Sequence, residues 1–195
     1  MQLVEGNIYH VYNRGNNKRQ IFFSRENYIY FLKSVHKNIA SCSDIFAWCL
    51  MPNHFHFLIH ANQNSVLEIN EGSFARQQFS QQIKQLLSSY AKAINKQKNF
   101  TGSLFQQKTK AVCVNDACCS YAQTAFHYIH QNPMRANLVT KMEEWEFSSF
   151  ADYAGFRNGN LCNKELAYLL LDLNKENFYT DSYKVIEDDI INMIE

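Results

Sequence analysis

The spacing of apolar residues changes several times along this chain, and each change marks an element. Residues 7–13, Asn-Ile-Tyr-His-Val-Tyr-Asn, read as a first strand, followed by a polar, basic loop from Arg14 to Gln20. Ser24 is placed as the N-cap of a helix whose apolar positions include Tyr28, Phe31, Leu32 and Val35. Asp44 to Leu50 is a dense apolar strand. Pro52-Asn53 is a turn signal, so the run His54 to Ile59 returns as its hairpin partner. Residues 62–72 read as polar loop. A long helix is expected over about 74 to 98, with Phe79, Ile83, Leu86, Leu87, Tyr90 and Ile94 on one stripe and Arg76, Lys84, Lys92, Lys96 and Lys98 on other faces. Gly102 breaks that pattern, and Ala111 to Val114 form a short strand. Asn115 or Asp116 is placed as the cap of a further helix, expected to end near Asn132 because Pro133 disfavours helical geometry in the residue before it.

This order, βαββαβ-α, predicts an α+β fold: an antiparallel sheet with helices packed on one face and the other face free to carry a site. Residues 1–160 are read as one domain. Residues 161–195 are read as an acidic extension of one or two short helices.

Composition adds limits. The chain has 195 residues, 46% of them apolar, enough for one domain with a real core. No run of 18 apolar residues occurs, so no transmembrane helix is expected, and the first residues lack the basic-then-apolar pattern of a signal peptide. The six cysteines form no Cys-x-x-Cys pair, which fits buried reduced thiols and a cytoplasmic setting. A zinc site joining Cys42 and Cys49 to histidines lacks the usual short ligand spacing. The net charge of +1 hides an asymmetry: residues 1–160 hold 16 Lys and Arg against 10 Asp and Glu, and residues 161–195 hold 3 against 8. A basic body of this kind suits an anionic polymer.

The candidate chemistry begins at His54-Phe55-His56. On a strand these histidines share one face while Phe55 and Phe57 point to the core. Their Cα atoms lie roughly 6.6 Å apart, close enough for two imidazoles to share one divalent metal. His60 lies on the same face, but roughly 13 Å beyond His56, too far to join them. On the later helix, Tyr121, Ala125, Tyr128 and Asn132 form one stripe at spacings of four, three and four. Two sheet histidines with a tyrosine-bearing helix point to metal-assisted cleavage of a phosphodiester. Spacing alone does not select Tyr128 over Tyr121, or Asn132 over His127 or Gln131.

Longer segments carry a resemblance. Met51-Pro52-Asn53-His54-Phe55-His56-Phe57-Leu58, followed by Tyr128-Ile129-His130-Gln131-Asn132-Pro133-Met134-Arg135-Ala136-Asn137-Leu138-Val139, resembles the REP-associated tyrosine transposases. These belong to the HUH superfamily of single-strand nickases, named for His-hydrophobic-His. Tyr9-His10-Val11 with Arg14-Gly15-Asn16 resembles the family's opening strand and loop. Tyr90-Ala91 with Asn95, then Gly102-Ser103-Leu104-Phe105-Gln106, resembles its central helix and exit. Trp145-Glu146-Phe147-Ser148-Ser149-Phe150 resembles its closing Trp-x-x-Ser-Ser segment. The match spans about residues 7–153. It departs at Lys108, where relatives often have arginine, and at Thr109, where they often have an aromatic.

The resemblance implies a ferredoxin-like sheet with the two histidines on its open face, with Tyr128 as the nucleophile and Asn132 as the third metal ligand beside His54 and His56. It implies a metal-dependent transposase or nickase that cleaves and rejoins single-stranded or hairpin DNA through a 5′-phosphotyrosine. Mg²⁺ or Mn²⁺ is the expected ion, because phosphoryl transfer favours hard cations, although imidazoles also accept Zn²⁺. Arg14, Lys18, Arg19, Lys108 and Lys110 are candidates for phosphate contacts. Related single-tyrosine enzymes include dimers and monomers, so a homodimer is allowed. The alternative is a non-cleaving relative that binds hairpin DNA or RNA through the same sheet.

Overall fold

A computed structural model describes residues 1–71, 74–115 and 121–194; the side chains of 71, 74 and 194 are not described. Its main sheet has four antiparallel strands: β1 (Ile8–Arg14), β2 (Asp44–Met51), β3 (His54–His60) and β6 (Lys110–Cys113), in the spatial order β2-β3-β1-β6. Helix α1 (Arg25–Asn38) joins β1 to β2, and α3 (Gln78–Lys98) lies between β3 and β6. This is the expected α+β, ferredoxin-like arrangement.

The pleat sorts the strands into two faces. Val11, Phe55 and Phe57 point toward α1 and α3, where Phe31 packs 5.4 Å from the ring of Phe55 and 6.5 Å from that of Phe57. Tyr90 of α3 closes this layer by donating its hydroxyl to the Ile21 carbonyl at 2.8 Å. The opposite face carries His10, Tyr12 and Arg14 from β1, and His54, His56 and His60 from β3. That face is less open than the sequence suggests. Helix α4 (Tyr121–Arg135) lies over its β2 side, and the β1–β6 side stays open.

Three local expectations are revised. Part of the segment read as polar loop is ordered as a helical turn, α2 (Gln63–Val66), and a strand, β4 (Glu68–Glu71). Its antiparallel partner β5 (Phe74–Gln77) takes the residues expected to open the long helix, so α3 begins at Gln78 rather than near 74. The fourth helix also runs through Pro133 to Arg135 rather than stopping at Asn132. The Asn132 and Pro133 carbonyls still accept, from Ala136 and Leu138 at 2.9 Å each. The chain leaves the helix where Asn137 takes a left-handed conformation at φ 54°, which asparagine tolerates. Asn115 accepts from the backbone of Ile8 at the β6 end. Asp116, Cys118 and Cys119 lie outside the described residues.

The closing segment and the tail are built onto this frame. Leu50 N donates to Phe147 O and Ser149 N to Trp48 O, at 2.9 Å each, while Trp145 Nε1 donates to Leu50 O at 3.1 Å. The exposed edge of β2 is thereby covered. Short helices α5 (Phe150–Tyr153), α6 (Lys164–Leu170), α7 (Phe178–Ser182) and α8 (Asp188–Ile194) follow. Phe178 packs among Phe126, His130, Phe150 and Tyr153, so α7 rests on α4, as α8 does, while α6 packs against β2.

That packing creates an acid sensitivity. Burial, helped by Lys184 and opposed by Asp181, lowers the His127 imidazole to about 4. His130 is also pushed well below the histidine range by burial. The unfolded chain therefore binds more protons than the native one below about pH 6.5. Stability is expected to be full above that value and to fall as pH drops toward 4, by roughly 3 kcal/mol for His127 alone. Melting temperatures by circular dichroism at pH 7 and pH 5 check this, and a flat profile would contradict it.

Candidate active site

The hairpin turn that delivers the histidines is held from the β1 side. Gly15 N donates to Asn53 O at 2.7 Å, and Ile21 N and Phe22 N both donate to Pro52 O. Gly15 is required by space. A Cβ there would sit 2.0 Å from the Arg19 carbonyl oxygen, which gives a steric reason for the Arg14-Gly15-Asn16 sequence.

On the histidine face the ring centroids of His54 and His56 are 4.9 Å apart. Nδ1 of His54 lies 2.6 Å from Oδ1 of Asn53. An amide oxygen only accepts, so Nδ1 carries the proton and the lone pair of His54 sits on Nε2. His56 is 1% exposed. Its Nδ1 is 2.8 Å from Nε2 of His10, and its Nε2 is buried with no hydrogen-bond partner. Burial, with His10, His54 and Arg14 nearby, holds its imidazole well below the usual range, so it is neutral and has a lone pair to offer.

Tyr128 meets this group from α4. Its ring stands edge-on at 6.0 Å from His56 and 6.1 Å from His10. The alternatives on the same helix are engaged elsewhere. The Tyr121 hydroxyl contacts Met193 Sδ at 3.1 Å, His127 Nδ1 pairs with Ser182 Oγ at 2.9 Å, and His130 Nε2 pairs with Ser149 Oγ at 2.8 Å. The Gln131 amide donates to the carbonyls of Ser182 and Lys184. Asn132 lies one turn beyond Tyr128, and its Nδ2 donates to the Tyr128 carbonyl at 3.0 Å, leaving Oδ1 as the acceptor it can offer. Tyr128 and Asn132 are 5% and 8% exposed. His60 instead faces Asp44, with Nδ1 3.3 Å from Oδ2.

Beside the histidines opens a cavity of about 430 Å³, lined by His54, His56, Tyr12, Arg14, Lys108 and Lys110, among others. Three of the five expected phosphate contacts therefore gather here, and Lys110 Nζ sits 5.4 Å from the Tyr12 ring centre. The other two do not line it. Lys18 offers its carbonyl to Asn53, and Arg19 donates to Ser103 O at 2.6 Å. A larger cavity, about 910 Å³, lies between α3 and residues 102–109 and shares Asn13, Gln106 and Lys108 with the first.

Among the described residues no three His, Cys, Asp or Glu side chains cluster to hold a metal. A cation here would draw on two imidazoles, completed by an amide oxygen and solvent or phosphate. The orphaned, buried Nε2 of His56 and the fixed tautomer of His54 fit that role. The described thiols do not. Cys42 and Cys49 are free and buried, and burial pushes Cys42 up to about 12. His10 and Tyr12 are the residues that sequence reading missed. Period 2 on β1 puts them on one face, but only the strand order places that face beside His56.

Fold and ring set together define a class: a ferredoxin-like α+β protein in which a sheet-borne histidine pair meets a tyrosine carried by a helix. A solved structure of a REP-associated tyrosine transposase bound to a REP hairpin has this fold, with a TM-score of 0.59 and 14% identity over 80% of this chain and 83% of that one. The resemblance read from the sequence thus holds at the level of fold. No protein-family model matches the sequence, and no curated protein matches it. Among the described residues no helix is long and apolar enough to cross a membrane.

Proposed function

We propose that this protein is a single-tyrosine DNA transposase or nickase acting on single-stranded or hairpin DNA. One observation carries the reading: His54, His56 and Tyr128 of a single chain converge, beside a cavity rimmed by Arg14, Lys108 and Lys110. Pure binding requires no such set, and no second copy is needed to complete it.

In this reading Tyr128 Oη attacks a backbone phosphorus, the P–O3′ bond breaks, and the 3′ oxygen leaves as a hydroxyl. The phenol proton goes to solvent. The product is a 5′-phosphotyrosine, and attack on it by another strand's 3′-hydroxyl rejoins DNA without ATP. A phenol with a pKa near 10 is a weak nucleophile at neutral pH, so the phosphate must be activated. Mg²⁺ or Mn²⁺, held by Nε2 of His54, Nε2 of His56 and Oδ1 of Asn132, would supply charge neutralisation at the phosphate oxygens. Arg14, Lys108 and Lys110 hold the adjoining backbone phosphates. Residues 1–160 carry this activity, and the setting is the cytoplasm.

The test is a covalent adduct. The protein, incubated with hairpin-bearing single-stranded DNA and Mg²⁺, is expected to give a protein–DNA band that survives denaturation. Binding without any adduct, over several hairpin sequences, would favour the non-cleaving alternative. The cationic rim has its own signature. Substituting Lys108 and Lys110 with alanine should weaken binding across sequences. It should also flatten the slope of log affinity against log salt by about 0.7 for each phosphate left without its lysine. An unchanged slope by fluorescence anisotropy would remove these lysines from the interface.

A further inference from the structure

We propose that His10 is the positioning residue of this site: its Nε2 accepts a hydrogen bond from Nδ1–H of His56, which fixes the tautomer whose Nε2 presents a lone pair to a divalent cation. This rests on the metal-dependent reading above.

The argument starts from register. On the antiparallel pair β1–β3, Tyr12 lies opposite His56 and His10 opposite Leu58, so His10 and His56 are diagonal neighbours on one face. Their rings lie edge to edge, with centroids 5.0 Å apart and planes 18° apart, and the two nitrogens meet at 2.8 Å. His10 is 0% exposed, so water does not substitute for it.

One proton is shared between those two nitrogens, and the choice of owner decides what His56 can do. If His10 held it, the neutral His56 ring would carry its proton on Nε2, and that buried N–H would have no acceptor. It would also have no lone pair for a cation. If His56 holds it on Nδ1, the buried Nε2 bears the lone pair, and an arriving cation satisfies the one polar atom of the ring that protein leaves unpartnered. Asn53 does the same for His54 through Oδ1. The two ligand histidines thus have separate orienting partners, one within the turn and one on the neighbouring strand. His10 itself touches neither substrate nor cation in this arrangement.

Two substitutions separate this role from packing. His10→Gln keeps an acceptor oxygen near the place of Nε2, and His10→Leu keeps bulk without an acceptor. Mn²⁺ affinity is measured by titration calorimetry. The His56 tautomer is read in metal-free wild type by two-bond ¹H–¹⁵N correlation on ¹⁵N-histidine protein, with His56→Gln used for assignment. The wild type is expected to carry the His56 proton on Nδ1. His10→Leu should weaken Mn²⁺ by ~10- to 100-fold, while His10→Gln should stay within about 3-fold of wild type.

A His56 proton found on Nε2, wild-type affinity in His10→Leu, or equal losses in both variants would each overturn the proposal. Should His10→Leu fail to fold, the wild-type tautomer and the His10→Gln affinity still decide. If the wild type forms the DNA adduct and binds Mn²⁺ while His10→Leu is unchanged, only the role of His10 falls. If the wild type takes no Mn²⁺, the metal-dependent reading falls, and this role with it.

Discussion

Tyr128→Phe is expected to abolish the covalent DNA adduct, by at least ~10³-fold on a denaturing gel, while leaving the fold intact. Removing a nucleophile removes the reaction path it opens, whereas the phenylalanine ring retains the edge-on packing against His10 and His56. The stability cost should stay near 1 kcal/mol, the scale of one hydroxyl's hydrogen bonding. Tyr121→Phe is the matched control. Its hydroxyl contacts Met193 rather than the histidines, so the adduct should persist. An undiminished adduct in Tyr128→Phe, or none in Tyr121→Phe, would move the nucleophile to another residue.

His54→Ala should reduce cleavage by ~10²- to 10⁴-fold, the several kcal/mol a cation supplies at a phosphate in transition. DNA binding in EDTA, measured by anisotropy, should change by less than about 3-fold, because Arg14, Lys108 and Lys110 remain. His54 is the better probe of the pair because it is partly exposed, whereas His56 is locked among His10, Tyr12 and Tyr128 and its removal leaves a buried gap. Equal loss of binding and cleavage in His54→Ala would give this histidine a structural role instead.

Much of this architecture is legible because the local signals are strong. The turn at Pro52-Asn53 and the alternation of His54, Phe55, His56 and Phe57 define the central hairpin, and the stripe from Phe79 to Ile94 defines α3. Pairing across distance is not legible. Nothing local tells that β1 lies between β3 and β6, and that placement is what brings His10 and Tyr12 to His56. By sequence alone, His10 therefore reads as a satisfied or surface histidine. The spacing on α4 leaves Tyr121 and Tyr128 equivalent, and the packing of that helix separates them, setting Tyr128 against His10 and His56 and Tyr121 against Met193. The short β4–β5 pair is hidden because Glu68 and Asn70 give its first strand the composition of a loop, while β5 reads as the first turn of the long helix.

The alternation on β3 also sets a rule for variation. Side chains change face at every residue, so inserting or deleting one position between Pro52 and His54 would exchange imidazoles for phenyl rings on both layers at once. The core would take up histidines and the open surface would present grease. Changes in length near this turn should thus survive selection only in even steps, and a library of one- and two-residue insertions there should sort by parity.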